Sequence, residues 1–482
     1  DRAGRRRGVR RDRREVSRIC VARYKVLLAR RWGCMRFRVV AMVFAVTALT
    51  FGGVGCGSGT SHENTIRVVY RSYSDFAKLG PLLTAVKTEF EAANPGVSVQ
   101  LVPVTAMDSD YQRKVQLMQR SAATAPDVWF EDGYFIDADA AAGYLLPLDG
   151  YLSLWPDWHS QFIESTKQLG RAVDGKTYGV PLGTDSRGLW FNRNIFDKAG
   201  LPADWQPATW DDVLTAARQI KQAVPDVEPL YLPVGKPMAE GISITLQMLL
   251  YGTDTANLYN RATRKWVAPS RGMQDALNFV ATAMREGLMQ TAAQAEDTQW
   301  SRVERTSLIA HDKIGIVMDG SWYPSFWKPD GVSPWPNWSQ TLGTAALPTQ
   351  HGQAPGKVNL SGGPALALGA HTTHAQAAFK FVTTAMSPKN SAAMVLACSW
   401  LPVRKDVQAD LRVSQSDPTE SFWAGLLPIT RYRPTLPRYP EVSDTLQTAG
   451  ESVINGGDPN QAAQQWADAV VGLVGSRETE AG

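Results

Sequence analysis

Two acidic residues in succession, Glu131-Asp132, close the short apolar run Asp127-Val128-Trp129-Phe130, and Tyr73 follows the β-branched run Thr65–Tyr70. Carboxylates at such positions can accept hydrogen bonds from hydroxyl groups, two per carboxylate, and a phenol ring beside them can stack on a flat apolar face. The same positions equally suit solvated acids or helix caps. A pair of carboxylates could also hydrolyse a glycosidic bond, provided they stand about 5–10 Å apart and burial keeps one protonated. Nothing else in the chain resembles a catalytic pattern: there is no Gly-x-Ser-x-Gly elbow, no His-Glu-x-x-His helix and no phosphate loop. Of the six histidines (His62, His159, His311, His351, His371, His374), only His371 and His374 are spaced like metal ligands, in an expected exposed turn. No metal and no cofactor is expected.

The segment Met35–Cys56 reads as an export signal: arginines, an uncharged apolar run from Val39 to Phe51, small residues, then a cysteine. Gly53-Val54-Gly55-Cys56 resembles a lipobox with Gly where Leu is usual, so Cys56 is expected to carry lipid and anchor the chain to the cell membrane. Residues 1–34 are expected to be upstream sequence from a misassigned start, 35–55 the signal peptide, and 56–64 a polar tether. Residues 1–38 hold fifteen of the 50 basic and three of the 46 acidic residues. The remainder therefore carries a net charge of about −8, which excludes a nucleic-acid role. Cys20 and Cys34 fall in the discarded segment, leaving Cys398 alone, so neither a disulfide framework nor a thiolate zinc site is expected. After the signal no apolar run approaches the length that spans a membrane.

The elements that must position these residues alternate between strand and helix. Thr65–Tyr70 and Val97–Val104 have strand character, and Leu82, Leu83, Val86 and Phe90 recur at helical spacing until Asn94-Pro95-Gly96 stops them. Tyr111–Arg120 is the next expected helix. This rhythm implies a parallel α/β sheet, whose ligands bind at strand carboxyl ends, here the loops at Arg71–Asp75 and Glu131–Tyr134. A second unit begins near Tyr178. It contains a helix capped by Thr209 with Asp211 and Asp212 in its first turn, helices over Ser243–Tyr251, Gly272–Glu286 and Trp300–Ala310, and a strand at Lys313–Met318. The chain then returns to the first unit through Leu360–Leu368 and the helix Ala375–Met386. Residues beyond the signal exceed the size of one core, which favours two domains.

Nine blocks in order resemble the family-1 bacterial extracellular solute-binding proteins, the lipoproteins that serve ABC importers of carbohydrates. They are Phe90–Gly96, Ala125–Asp132, Gly143–Asp149, Gly175–Leu182, Leu189–Leu201, Thr209–Asp212, Gly315–Trp322, Ser361–Gly363 and Trp400–Asp406. The likeness spans Thr65 to about Leu473. It implies an α/β, two-lobe periplasmic-binding-protein fold with a hinge and an interlobe ligand cleft. Residues 65–183 and 363–410 would form lobe 1, and residues 184–362 and 411–475 lobe 2.

The resemblance implies cleft roles for ten residues. Tyr73, Glu131 and Asp132 would come from lobe 1, with Asp185 at the hinge crossing and Glu240 in a loop holding hydroxyls. Trp322 would stack on a sugar face, and Gly362 and Gly363 would bring bare backbone to the wall. Trp400 could face the cleft or the core, Arg404 could simply bridge the lobe, and Arg433 is favoured over Arg431 as the ligand-contacting arginine. The implied ligand is a small-molecule carbohydrate, whether sugar, amino-sugar or glycerophosphodiester, delivered to ABC permease subunits by a monomer with no enzymatic activity. The competing reading is a secreted glycoside hydrolase.

Overall fold

The computed structural model describes Asn64–Gly482, apart from Met107 and Ala239. Cys56 and the export segment lie outside the described residues.

The first sheet has the strand order Ser98–Val104, Thr65–Arg71, Val128–Asp132, Pro364–Leu368, Gly179–Pro181. Its first three strands are parallel, but Pro364–Leu368 runs antiparallel to both of its neighbours, so the sheet is mixed rather than parallel throughout. The antiparallel strand arrives from the far lobe instead of through a local helical crossover, and only such crossovers enforce parallel order. Helices Leu79–Ala93 and Ala375–Ala385 cover this sheet; Leu83, Val86 and Phe90 of the first are buried at the expected spacing. That helix stops at Asn94, beyond which Gly96 adopts φ +91°.

The second sheet has the order Leu342–Ala345, Arg187–Asn192, Ile314–Gly320, Glu228–Tyr231. Helix Trp210–Ala223 packs beside it and starts at a reciprocal capping box, Thr209 with Asp212. Below lies a helical layer, Glu240–Tyr251, Arg271–Arg285, Tyr439–Ile454 and Pro459–Val474, which shares the largest apolar core. A separate aromatic core gathers Trp190, Tyr323, Trp327, Trp338 and Trp423. Most of the tryptophan content is therefore structural.

The expected helix Trp300–Ala310 is broken into Trp300–Val303, a π-turn Glu304–Leu308 and a short 3-10 turn. Leu360–Leu368 is likewise two strands, Lys357–Ser361 and Pro364–Leu368, divided at Gly362-Gly363. There the chain crosses between lobes against Gly183–Asp185: the Thr184 hydroxyl donates to Gly362 O at 2.9 Å, and Thr184 pairs with Leu401. Gly363 sits at φ +150°, where a Cβ would lie 2.4 Å from Gly183 O. Val413 of the short helix Leu411–Ser414 packs with Ala392, Val395 and Val407, and Trp423 packs in the aromatic core against Trp190.

Candidate functional site

Arg433 follows the strand Thr430–Tyr432 and is almost wholly buried between the lobes. Its Nη1 donates to Glu240 Oε2 at 3.0 Å, and its Nη2 lies 3.4 Å from Asp132 Oδ1. The guanidinium also stacks on Tyr134, 4.1 Å from the ring centroid. Asp132 ends the strand Val128–Asp132 in lobe 1, whereas Glu240 begins helix Glu240–Tyr251 in lobe 2. One arginine thus ties both lobes together. Burial works against its charge, but Asp132 and Glu240 outweigh that and hold its pKa above the ordinary arginine value. Burial raises the Asp132 pKa, and Arg433 opposes the rise.

Glu240 is held from lobe 2 as well. The Tyr439 hydroxyl donates to Oε2 at 3.0 Å and Ser443 to Oε1, both from one face of helix Tyr439–Ile454, one turn apart. Gln247 in turn donates to the Tyr439 oxygen at 3.0 Å.

A second group stands beside this one. Asp185 Oδ1 accepts from Arg187 Nη1 at 2.7 Å and from Gly362 N at 2.9 Å, while the same Arg187 nitrogen also donates to Leu360 O at 2.8 Å. The Arg187 guanidinium lies 4.9 Å from the Trp322 ring. Trp322 follows the strand Ile314–Gly320, and its indole folds back over Gly320, where a Cβ would come within 1.8 Å of the ring. Gly362 joins the two groups: a Cβ there would lie 3.2 Å from Arg433 Nη2, 3.5 Å from Asp185 Oδ2 and 3.7 Å from Arg187 Nη2. Asp132, Asp185, Glu240, Trp322, Gly362 and Arg433 therefore lie around one point between the lobes, with Gly363 adjacent in the crossing.

The lobes are in contact at this point, and the cavity lined by Gly133, Tyr134, Gly362 and Arg433 measures only about 10 Å³. Farther out, Lys78 Nζ meets Asp330 at 3.0 Å and Lys328 Nζ meets Ser399 Oγ at 3.1 Å.

Three expected site residues are not among the contacts that converge on Gly362. Glu131 shares a strand with Asp132, but successive strand side chains point to opposite faces. It is fully buried inside lobe 1, accepting from Trp129 Nε1 at 2.7 Å and from Gln112 at 3.4 Å, with Asp139 close by. Burial, then Asp139, pushes its pKa well above the carboxylate range. Tyr73 is 40% exposed and makes no side-chain hydrogen bond among the described residues. Trp400 packs against Gly183 and lies 6.2 Å from Phe76, beside the lobe 1 core. Arg404 is a lobe 1 bridge, donating to Asp157 and Asp406.

Sequence reasoning missed Arg187, Tyr134, Tyr439 and Ser443. The signals available were the Asp185-x-Arg187 spacing, which puts both side chains on one face of an extended segment, and the i,i+4 spacing of Tyr439 and Ser443. Chemically, the site offers three carboxylates that keep free lone pairs beside their arginines, with the half-buried Trp322 indole and the buried Tyr134 ring at its walls. It can bind hydroxyl groups and stack on a ring.

Residues 73–392 match the model of the bacterial extracellular solute-binding protein family. A protein of Brucella abortus (strain 2308), named as a binding protein, is 26% identical over 421 residues, covering 86% of this chain and 95% of its own length. Two solved structures share the fold. A solute-binding protein of an ABC transporter from Thermotoga lettingae, bound with α-D-tagatose, has a TM-score of 0.70 at 22% identity, covering 85% of this chain and 99% of that one. The GacH receptor of Streptomyces glaucescens, solved unliganded and with acarbose, has a TM-score of 0.70 at 21% identity, covering 86% and 99%. By name these are a binding protein, a solute-binding protein of an ABC transporter and a receptor, and the hydrolase alternative finds no support among them. The chain belongs to the bacterial extracellular solute-binding proteins.

Proposed function

We propose that this protein captures a carbohydrate or related polyol between Asp132, Arg433 and Glu240 on one side of Gly362 and Asp185, Arg187 and Trp322 on the other, and delivers it to the membrane permease of an ABC importer. The observation that carries this reading is the convergence of both groups on Gly362, from two lobes joined by chain crossings at Gly183–Asp185 and Ser361–Pro364. The two solved neighbours, crystallised with tagatose and with acarbose, support a sugar.

Because the side chains fill the space at Arg433, a sugar enters by parting the lobes at these crossings and replacing the Asp132–Arg433 contact with its own hydroxyls. The protein works as a monomer, held at the outer face of the cell membrane by lipid on Cys56. Among the described residues no helix is long and apolar enough to cross a membrane.

A thermal-shift screen against neutral sugars, amino-sugars and glycerophosphodiesters tests the ligand class. A ligand at a hundredfold its Kd stabilises by about 2.7 kcal/mol, and a melting temperature unmoved by all three classes would contradict the reading. Mass spectrometry of membrane-extracted protein tests the anchor: a diacylglyceryl-modified Cys56 at the N-terminus is expected, and an unmodified start elsewhere would refute it.

A further inference from the structure

A groove of about 740 Å³ lies between Asp149–Thr177 of lobe 1 and two segments of lobe 2, the hairpin turn at Tyr259–Arg264 and the stretch Tyr432–Leu436. This is the size of a small-molecule pocket, far larger than the cavity at Arg433. Its inner end shares Gln168, Tyr432 and Thr435 with that small cavity. Along the extended stretch, Arg433 reaches into the interlobe ion-pair cluster while its neighbours Tyr432 and Pro434 line the groove. The two sites are therefore back to back across one strand end.

The groove's charge is lopsided. Its two acids are already engaged: Glu164 pairs with Lys167 at 2.7 Å, and Asp149 accepts from Thr177 N at 3.2 Å. Arg171 uses its Nε on Gly175 O, leaving its terminal nitrogens, and Arg261 and Arg264 make no hydrogen bond or ion pair among the described residues. Tyr259 and Tyr432 supply ring surfaces along the same walls, and the buried Trp158 ring lies beneath the Lys167 ammonium at the groove floor. Guanidinium groups with free donors fit phosphate or carboxylate oxygens in paired fashion, and adjacent rings fit the flat face of a sugar or base.

We propose that this groove is a second ligand site, specific for a small ring-bearing molecule that carries a phosphate or carboxylate, with Arg171, Arg261 and Arg264 reading the anionic group. It is independent of the neutral-polyol chemistry at Gly362. Because both lobes wall the groove, an occupant there contacts both sides of the hinge.

Calorimetric titration of the full chain with glucose 6-phosphate and with glucuronate tests this, alongside an Arg261→Gln/Arg264→Gln variant, an Arg171→Gln variant and, as a charge control, an Arg285→Gln variant at an exposed arginine of helix Arg271–Arg285 outside the groove lining, each checked for folding by thermal melting. At least one of the two anions is expected to bind, to lose at least tenfold in affinity in the double variant and severalfold in Arg171→Gln, and to lose less than threefold in Arg285→Gln. Which anion binds separates phosphate from carboxylate recognition. No binding of either anion, unchanged affinity in the double variant, or an equal or larger loss in Arg285→Gln would overturn the proposal. The last result would show attraction by surface charge at large and not recognition in the groove.

Discussion

Replacing Arg433 with methionine removes the cation that bridges the lobes at Gly362 while keeping much of its aliphatic bulk. Stripping one partner from a fully buried ion pair costs about 3–5 kcal/mol, because the other charge is left uncompensated. Here the Asp132 and Glu240 side chains are 33% and 23% exposed, so water takes up part of that loss. Tyr439 and Ser443 also continue to donate to Glu240. About 2 kcal/mol remains from the ion pairs, and losing the contact with the Tyr134 ring adds up to about 1 kcal/mol. The variant should melt about 3 °C below wild type at neutral pH.

The pH dependence carries a sign. The Asp132 pKa is raised by burial and lowered by Arg433, so without the arginine it rises further. A carboxyl whose folded pKa exceeds its unfolded value holds an extra proton in the native state between the two values, and stability falls as pH rises through that window. The stability gap between variant and wild type should therefore narrow on acidification from pH 7 to pH 5. Adding Glu240→Gln should cost less in the variant than in wild type, since the repelling charge disappears. Differential scanning calorimetry across pH reads all three effects. A variant as stable as wild type at pH 7, with a parallel pH profile, would show that Arg433 does not bridge the lobes in solution.

Gly363→Ala should destabilise the protein by about 2 kcal/mol or more in urea melts, because a Cβ would lie 2.4 Å from Gly183 O at a φ of +150°. Wild-type stability would show that the crossing is looser than described. Glu131→Gln should leave sugar affinity unchanged within about twofold, since Glu131 is buried within lobe 1 away from Gly362, and should change stability little, since its pKa is already well above the carboxylate range; a tenfold loss of affinity would return Glu131 to the cleft. Burial raises the Glu228 pKa to about 8, so its native state keeps a proton that the unfolded chain loses near pH 4–5, and stability falls as pH rises from there to about 8. Glu228→Gln should flatten that decline in calorimetry, and an unaltered slope would refute the assignment.

Much of this architecture was legible because it is written in local patterns. The spacing of Leu83, Val86 and Phe90, the Thr209 cap and the Asn94-Pro95-Gly96 stop each act within one or two turns of chain. The errors arose where long-range contacts decide. Pro364–Leu368 enters the first sheet from another lobe, and no local signal gives its direction. Helix Glu240–Tyr251 begins at Glu240 itself, and its carboxylate is held by Tyr439 and Ser443, some two hundred residues later. Glu131 and Asp132 have the same chemistry and adjacent positions, yet strand alternation sends one to Trp129 and Gln112 and the other to Arg433. Only knowing which face packs on lobe 1 separates them. Arg187 was missed because it opens a strand that is buried throughout, and its function depends on Asp185 turning back beside it at the crossing.

Isothermal titration of the sugar identified by screening, into wild type, Asp132→Ala and Trp322→Ala, tests the central claim most directly. These residues belong to opposite lobes and meet around Gly362. The account predicts that each truncation weakens binding by about 2 kcal/mol or more, since buried aromatics and charge-assisted hydrogen bonds dominate such sites. Asp132→Ala, at a strand end, should retain most of its thermal stability. Wild-type affinity in both variants would contradict the account and place the sugar outside this cleft.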